Sequence, residues 1–154
     1  MNVQNKEKGF TIIEVVLVLA IAGLIFLMVF IALPALQRSQ RDTARRNDVS
    51  TVSSAVSTYV SNNRGSFPTQ AQIRGYVTGL SDNSVVGGIT VGTAADTGAY
   101  TPADTVIHIR QGVKCGASTG TQALTTAGAT RRSFVVITRL EAGGDAGTAF
   151  CQDS

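Results

Sequence analysis

The segment Phe10–Leu33 constrains this chain more than any other feature: its 24 residues carry one charge, Glu14, and the nineteen from Val15 to Leu33 have neither a charge nor a strongly polar group. As a helix rising about 1.5 Å per residue, it reaches about 36 Å, enough to cross a hydrocarbon layer of about 30 Å. A run of this length reads as a membrane span rather than a buried core helix. It also locates the shortage of charge, 15% of the residues against a usual value of about 25%. With the span set aside, about 120 residues remain, which suits one modest core and one domain.

Residues 1–9 are polar and slightly basic and read as a cytoplasmic leader. Pro34 has no N–H to offer the carbonyl of Phe30, so a kink or local loosening is expected there without ending the helix. Beyond it, Val49, Val52, Val56, Tyr59 and Val60 recur on one helical face, with serines filling the remainder. Asn62-Asn63-Arg64-Gly65 followed by Pro68 stops the helix. The reading is one continuous helix of about 53 residues: an apolar half, 10–34, and an amphipathic half, 35–64.

After Gly65 the pattern becomes strand-like. Strands are expected around Val85–Val91, with Gly87-Gly88 as a hairpin turn or bulge, then Thr105–Gln111, Ser133–Leu140 and Thr148–Gln152. Gly92–Asp104 and Gly112–Arg132 read as surface loops. The fold class is therefore α+β: a long N-terminal helix whose amphipathic half packs on a small antiparallel head, residues 65–154. Arg38, Arg41 and Arg45 share the azimuth of the Val and Tyr stripe. The head is expected to clasp only Val49 to Val60, leaving these arginines and Arg46 for lipid headgroups or acids on another subunit.

Nothing here assembles an enzyme or a cofactor site. His108 is the one histidine, expected on a strand facing solvent or a partner. Cys115 and Cys151, with that histidine, are too few for a tetrahedral zinc site. There is no phosphate-binding Walker loop and no Gly-x-Ser-x-Gly elbow. Asp82, Asp96, Asp104, Asp145 and Asp153 are scattered over loops, a weak basis for a calcium site. A conventional secretory signal has a shorter apolar region and a small-x-small cleavage site, and Ala32-Leu33-Pro34-Ala35 is a poor match.

At Lys8-Gly9-Phe10-Thr11-Ile12-Ile13-Glu14 the chain resembles a type IV pilin precursor of the short-leader kind, the close similarity covering about residues 8–36. The resemblance implies that a prepilin peptidase removes residues 1–9 by cutting after Gly9 and methylates the amine of Phe10. It implies a glutamate at the fifth mature position, here Glu14, and a C-terminal disulfide loop. Local melting of the helix within a filament is a further family trait. Many bacterial pilins place a proline eight residues after a glycine in the span, whereas here Gly23 and Pro34 are eleven apart.

A charge in the first turns of a span costs up to about 2.5 to 3.5 kcal/mol at mid-membrane, and less near the edge. Glu14 therefore needs a partner. Cleavage would create one, because the Phe10 amine is a cation and stays one after methylation. Pairing Glu14 with the Phe10 amine of a neighbouring subunit would set the axial register of a helical homo-oligomer, since wrong registers leave a carboxylate unpaired at several kcal/mol. Two cysteines in the strand-rich part suggest a disulfide formed outside the cytoplasm, stabilising the head by about 3 to 4 kcal/mol.

Topology is in tension. Counted by basic residues, Arg38, Arg41, Arg45 and Arg46 beyond the span outweigh Lys6 and Lys8, which would place the head inside. The resemblance and the cysteines place it outside, with anionic headgroups as partners of the arginines before assembly. The same arginines could meet DNA phosphates, although Asp42 and Asp48 dilute them.

The expected function is structural. A main or internal pilin is stored in the cytoplasmic membrane, then extracted by the pilus machinery, with minor pilins as further partners, into a surface filament for adhesion, twitching motility or DNA uptake. A pseudopilin of a type II secretion or competence system would share every N-terminal feature. A membrane-anchored binding module that never polymerises would keep its leader.

Overall fold

The computed structural model describes residues 9–81, 88–92, 100, 106–118, 121–142 and 147–154. The chain divides into two units, residues 1–37 and 38–154, and helix α1, Ile12–Asn62, contributes to both. In the first unit α1 has no tertiary partner among the described residues. Leu24, Phe26 and Ile31 are 67%, 65% and 71% exposed, and α1 is long and apolar enough to cross a membrane. The helix runs on through Pro34, although that residue has no N–H to donate. The expected leader lies outside the described residues apart from Gly9.

In the second unit the expected stripe is the contact face of α1. Val49, Val52 and Val56 are wholly buried, Tyr59 is nearly so, and Val60 packs at their edge. They meet α2 (Gln70–Tyr76) through Ile73 and one face of a four-stranded sheet through Ile89, Ile107, Ile109, Phe134 and Val136. Fully burying each such side chain contributes about 1.5 to 3 kcal/mol.

The strands are β1 (Ile89–Gly92), β2 (Ile107–Gln111), β3 (Lys114–Ser118), β4 (Gln122–Thr125), β5 (Phe134–Leu140) and β6 (Thr148–Asp153). The main sheet has the order β1-β2-β5-β6, and β3-β4 form a separate antiparallel pair. β5 pairs antiparallel with both β2 and β6. Its two faces are both buried, because Val135 and Ile137 point away from α1 and pack with Val113, Tyr100, Cys115, Leu124 and Cys151. The β3-β4 pair thus covers the sheet face that α1 does not. The disulfide Cys115–Cys151 joins β3 to β6 across this contact, with a Cα–Cα distance of 6.0 Å.

Four details differ from the sequence reading. β1 and β2 are parallel, with Thr90 opposite His108, so the sheet is mixed, a pairing that a tight hairpin cannot make. α2 was not expected, yet Thr69 and Gln72 form a capping box at its start, a pattern that favours a helix even over seven residues. Gly112–Arg132 is not all loop, for it holds β3 and β4, which contribute the half-buried Cys115 and Leu124 beside the buried Val113 just before β3. The strand expected from Val85 begins at Ile89, after Gly88 in a left-handed turn at φ 77°; Gly87 lies outside the described residues.

Candidate functional site

The N-terminus of α1 is built from the backbone outward. The first turn of a helix leaves four N–H groups without partners, and here Thr11 and Glu14 supply a reciprocal cap. The Thr11 N–H and hydroxyl both donate to Oε2 of Glu14, at 2.8 and 2.7 Å, and the Glu14 N–H donates to the Thr11 hydroxyl at 3.4 Å. This is a capping box, Thr-x-x-Glu. Oε1 of Glu14 accepts no hydrogen bond among the described residues. Phe10, 89% exposed, shares with Glu14, Val15, Val18 and Leu19 a shallow concavity of about 320 Å³ along the helix. Gly9, before it, is exposed, with nothing among the described residues within 4 Å of where a side chain would start. Gly23, also exposed, has the same open surroundings.

The arginines beyond the span behave differently from the expectation. Arg41 donates from Nε and Nη2 to the Glu141 carboxylate at 2.9 and 2.7 Å, and Arg45 donates from Nη2 to Oε1 of the same group at 3.1 Å. Arg45 also reaches the carbonyl of Arg139 at 3.0 Å, while its buried Nε has no hydrogen-bond partner among the described residues. On the same stretch of helix, the buried Asp42 carboxylate accepts the N–H groups of Glu141 and Ala142 at 2.6 and 2.8 Å. The Arg41 guanidinium, bonded to Glu141, holds that carboxyl below its ordinary value, aided by the charges of Arg41, Arg45 and Arg38.

The head therefore grips α1 from Arg41 onward, not from Val49. Arg41 and Arg45 are committed within their own chain, because an acid on the turn after β5 satisfies a face that no apolar sheet could cover. Arg38 remains exposed, and Arg46 is exposed with its guanidinium 5.2 Å from the centre of the Phe150 ring, a cation–π arrangement.

His108 lies on β2 as expected, but turns to its own chain where a side facing solvent or a partner was expected. It is half-buried, with Nδ1 2.7 Å from the Thr90 hydroxyl and its ring 5.0 Å from that of Tyr100. Of the acids considered for calcium, Asp82, Asp96, Asp104 and Asp145 lie outside the described residues. No group of three metal-ligating side chains occurs among the described residues.

Sequence reasoning missed two contributors. Thr11 was legible, since a Thr three residues before a Glu at the head of an apolar run is a capping signature. Glu141 was not, for it stands 100 residues from Arg41 with no local pattern to mark it.

The prokaryotic N-terminal methylation motif matches residues 4–30, which include Gly9, Phe10, the capping box and most of the apolar run. A search of curated proteins and of solved structures gives no match. With a long apolar α1, an α+β head and a C-terminal disulfide, this motif fits a type IV pilin-like or pseudopilin protein.

Proposed function

We propose that the chain is a structural subunit of a type IV pilus, processed between Gly9 and Phe10, methylated on the Phe10 amine and held in the cytoplasmic membrane by residues 10–34 until assembly. The half-used Glu14 carboxylate is the observation that carries this reading. Oε2 is occupied by the Thr11 cap while Oε1 has no partner among the described residues, in a segment where an incompletely paired charge is costly. A cationic amine from the Phe10 of a neighbouring copy is a partner of the right charge, and it can bind Oε1 without dismantling the cap. Apolar helices gain little hydrophobic energy by leaving lipid for one another. This one polar pair therefore sets the register, because a misplaced helix forfeits it.

Gly23 and Pro34 would be where α1 loosens to accommodate packing, Gly23 by its conformational freedom and Pro34 by its missing N–H. Processing by a prepilin peptidase and extraction by the assembly machinery follow from the motif. The head, with its disulfide, would face the outside.

Mass spectrometry of material sheared from cells tests the proposal. A mature chain starting at Phe10 with one added methyl group, recovered from filaments seen by electron microscopy, is the expected result. Glu14→Ala is expected to abolish filaments while leaving the protein in the membrane. Normal filaments from that variant would remove Glu14 from the register role, and a full-length chain confined to membranes would overturn the filament reading altogether.

A further inference from the structure

Helix α1 begins at Ile12, and Gly9, Phe10 and Thr11 ahead of it are exposed and not helical. Two more bonds of the helical pattern would carry α1 back over them, from the Glu14 N–H to the Phe10 carbonyl and from the Ile13 N–H to that of Gly9. Neither is present among the described residues, and the first such bond at this end runs from the Val15 N–H to the Thr11 carbonyl, at 3.3 Å. The cap takes their place. It diverts the Glu14 N–H to the Thr11 hydroxyl and ties the Thr11 N–H to the Glu14 carboxylate, so a helix growing toward Gly9 would have to break it.

Only Phe10 and Thr11 separate the Gly9–Phe10 bond from the first helical residue. Exposed backbone without internal hydrogen bonds is where proteolysis concentrates. A peptidase that receives its substrate as a helix in a bilayer must also meet the bond at one place. Helical backbone advances about 1.5 Å per residue and extended backbone about 3.3 Å. Unwinding the first turn of α1 would therefore carry the bond about 7 Å away from the apolar run. Growth of α1 by one turn would instead lock the Gly9 and Phe10 carbonyls into hydrogen bonds. Displacements much smaller than these slow reactions that depend on positioning.

We propose that the Thr11–Glu14 cap is a ruler for processing: by fixing where α1 begins, it holds the Gly9–Phe10 bond free of the helix and at one axial distance from the apolar run, where the peptidase cuts it. Thr11 is a positioning residue, acting on the bond through the start of the helix. Glu14 then has a use before assembly as well as after it. The inference rests on the reading that this bond, which lies within the matched motif, is the one cleaved. It is independent of the pairing of Glu14 with a neighbour's amine, because that pairing requires the cut to have been made.

The test follows cleavage of the full chain by purified prepilin peptidase in detergent micelles, with the products placed by intact mass. Thr11→Val removes the hydroxyl and is expected to slow the cut about two- to fivefold, fivefold being the full worth of an N-cap, whereas Thr11→Ser keeps the wild-type rate. T11V/I12P is expected to recover that rate, since proline at the first helical position fixes the start without a hydroxyl and keeps the residue before it extended. One threonine inserted between Phe10 and Thr11 preserves Gly-Phe-Thr at the bond and the cap itself, yet moves the bond by about 3.3 Å, and a fall of at least about tenfold is expected. One leucine inserted between Leu19 and Ala20 leaves the distance from cap to bond unchanged and should be cut as wild type. A Thr11→Val rate less than about twofold below wild type, or unimpaired cutting of the threonine insertion, would overturn the proposal and leave the processing reading standing. So would a slow Thr11→Val that Ile12→Pro does not rescue although Ile12→Pro alone is cut normally, because the hydroxyl would then be read directly. A wild-type chain left uncut would defeat that reading, and the proposal with it.

Discussion

Replacing Glu141 by Gln tests whether the grip on α1 is electrostatic. Glu141→Gln preserves shape and one acceptor oxygen but leaves Arg45, whose side chain is 7% exposed, without its counter-ion. Breaking a buried pair from one side costs about 3 to 5 kcal/mol. Glu141 is 27% exposed and the glutamine amide retains a hydrogen bond to Arg45, so a loss of about 2 kcal/mol is the reasoned figure. For a unit the size of residues 38–154, about 4 °C per kcal/mol applies, which places the fall in Tm near 8 °C.

The assay is thermal unfolding of the full chain in detergent, followed by near-ultraviolet dichroism. All three tyrosines, Tyr59, Tyr76 and Tyr100, lie in the 38–154 unit, so their signal reports that unit. pH supplies a second reading. Arg41 holds the folded Glu141 carboxyl below its ordinary value of 4.5; a depressed acid contributes stability above the unfolded value and loses it as pH falls through the folded one. The gap between wild type and variant should therefore be full at neutral pH and close below pH 4.5. A shift under about 1 °C at neutral pH, or a gap that persists in acid, would refute the electrostatic account.

Three other perturbations separate the remaining layers. Thr11→Val removes the side-chain half of the cap and should speed amide exchange in the first turn of α1 about fivefold, equivalent to about 1 kcal/mol, with the head's Tm unchanged; equal exchange rates would deny the cap any weight. Replacing Cys115 and Cys151 together by serine should destabilise the head by about 3 to 4 kcal/mol in denaturant titration, as expected for opening a loop of sequence separation 36. Ile109→Ala, at a wholly buried position between α1 and the sheet, should lose about 2 to 5 kcal/mol by leaving a cavity, and a loss under about 1 kcal/mol would contradict the packing described.

Much of the candidate site could be read directly because it is local. Gly9, Phe10, Thr11 and Glu14 lie within six consecutive residues, and the cap is a relation between residues three apart. The Val49, Val52, Val56 and Tyr59 face was legible for the same reason, since helical periodicity alone places those side chains together. The role of the arginines was misjudged because Arg41 and Arg45 are polar positions on an otherwise apolar azimuth, and nothing near them in sequence announces an acid. The mixed sheet was missed because strand direction depends on how the chain crosses between β1 and β2, which the alternation within each strand does not encode.

By itself, the sequence determined a helix too apolar for water over its first half, its cap, its stop after Asn62, and strands at β2, β5 and β6. Each of these follows from propensity and periodicity within a few turns of chain. Tertiary structure decided the rest: that Glu141 closes on Arg41 and Arg45, that β3 and β4 cover the second face of the sheet, and that Arg132 lies over Gly65 at the end of α1. Those contacts join residues far apart in the chain. They exist because burial brings together groups that local rules leave independent, and a charge brought out of water takes whatever partner the packing sets beside it.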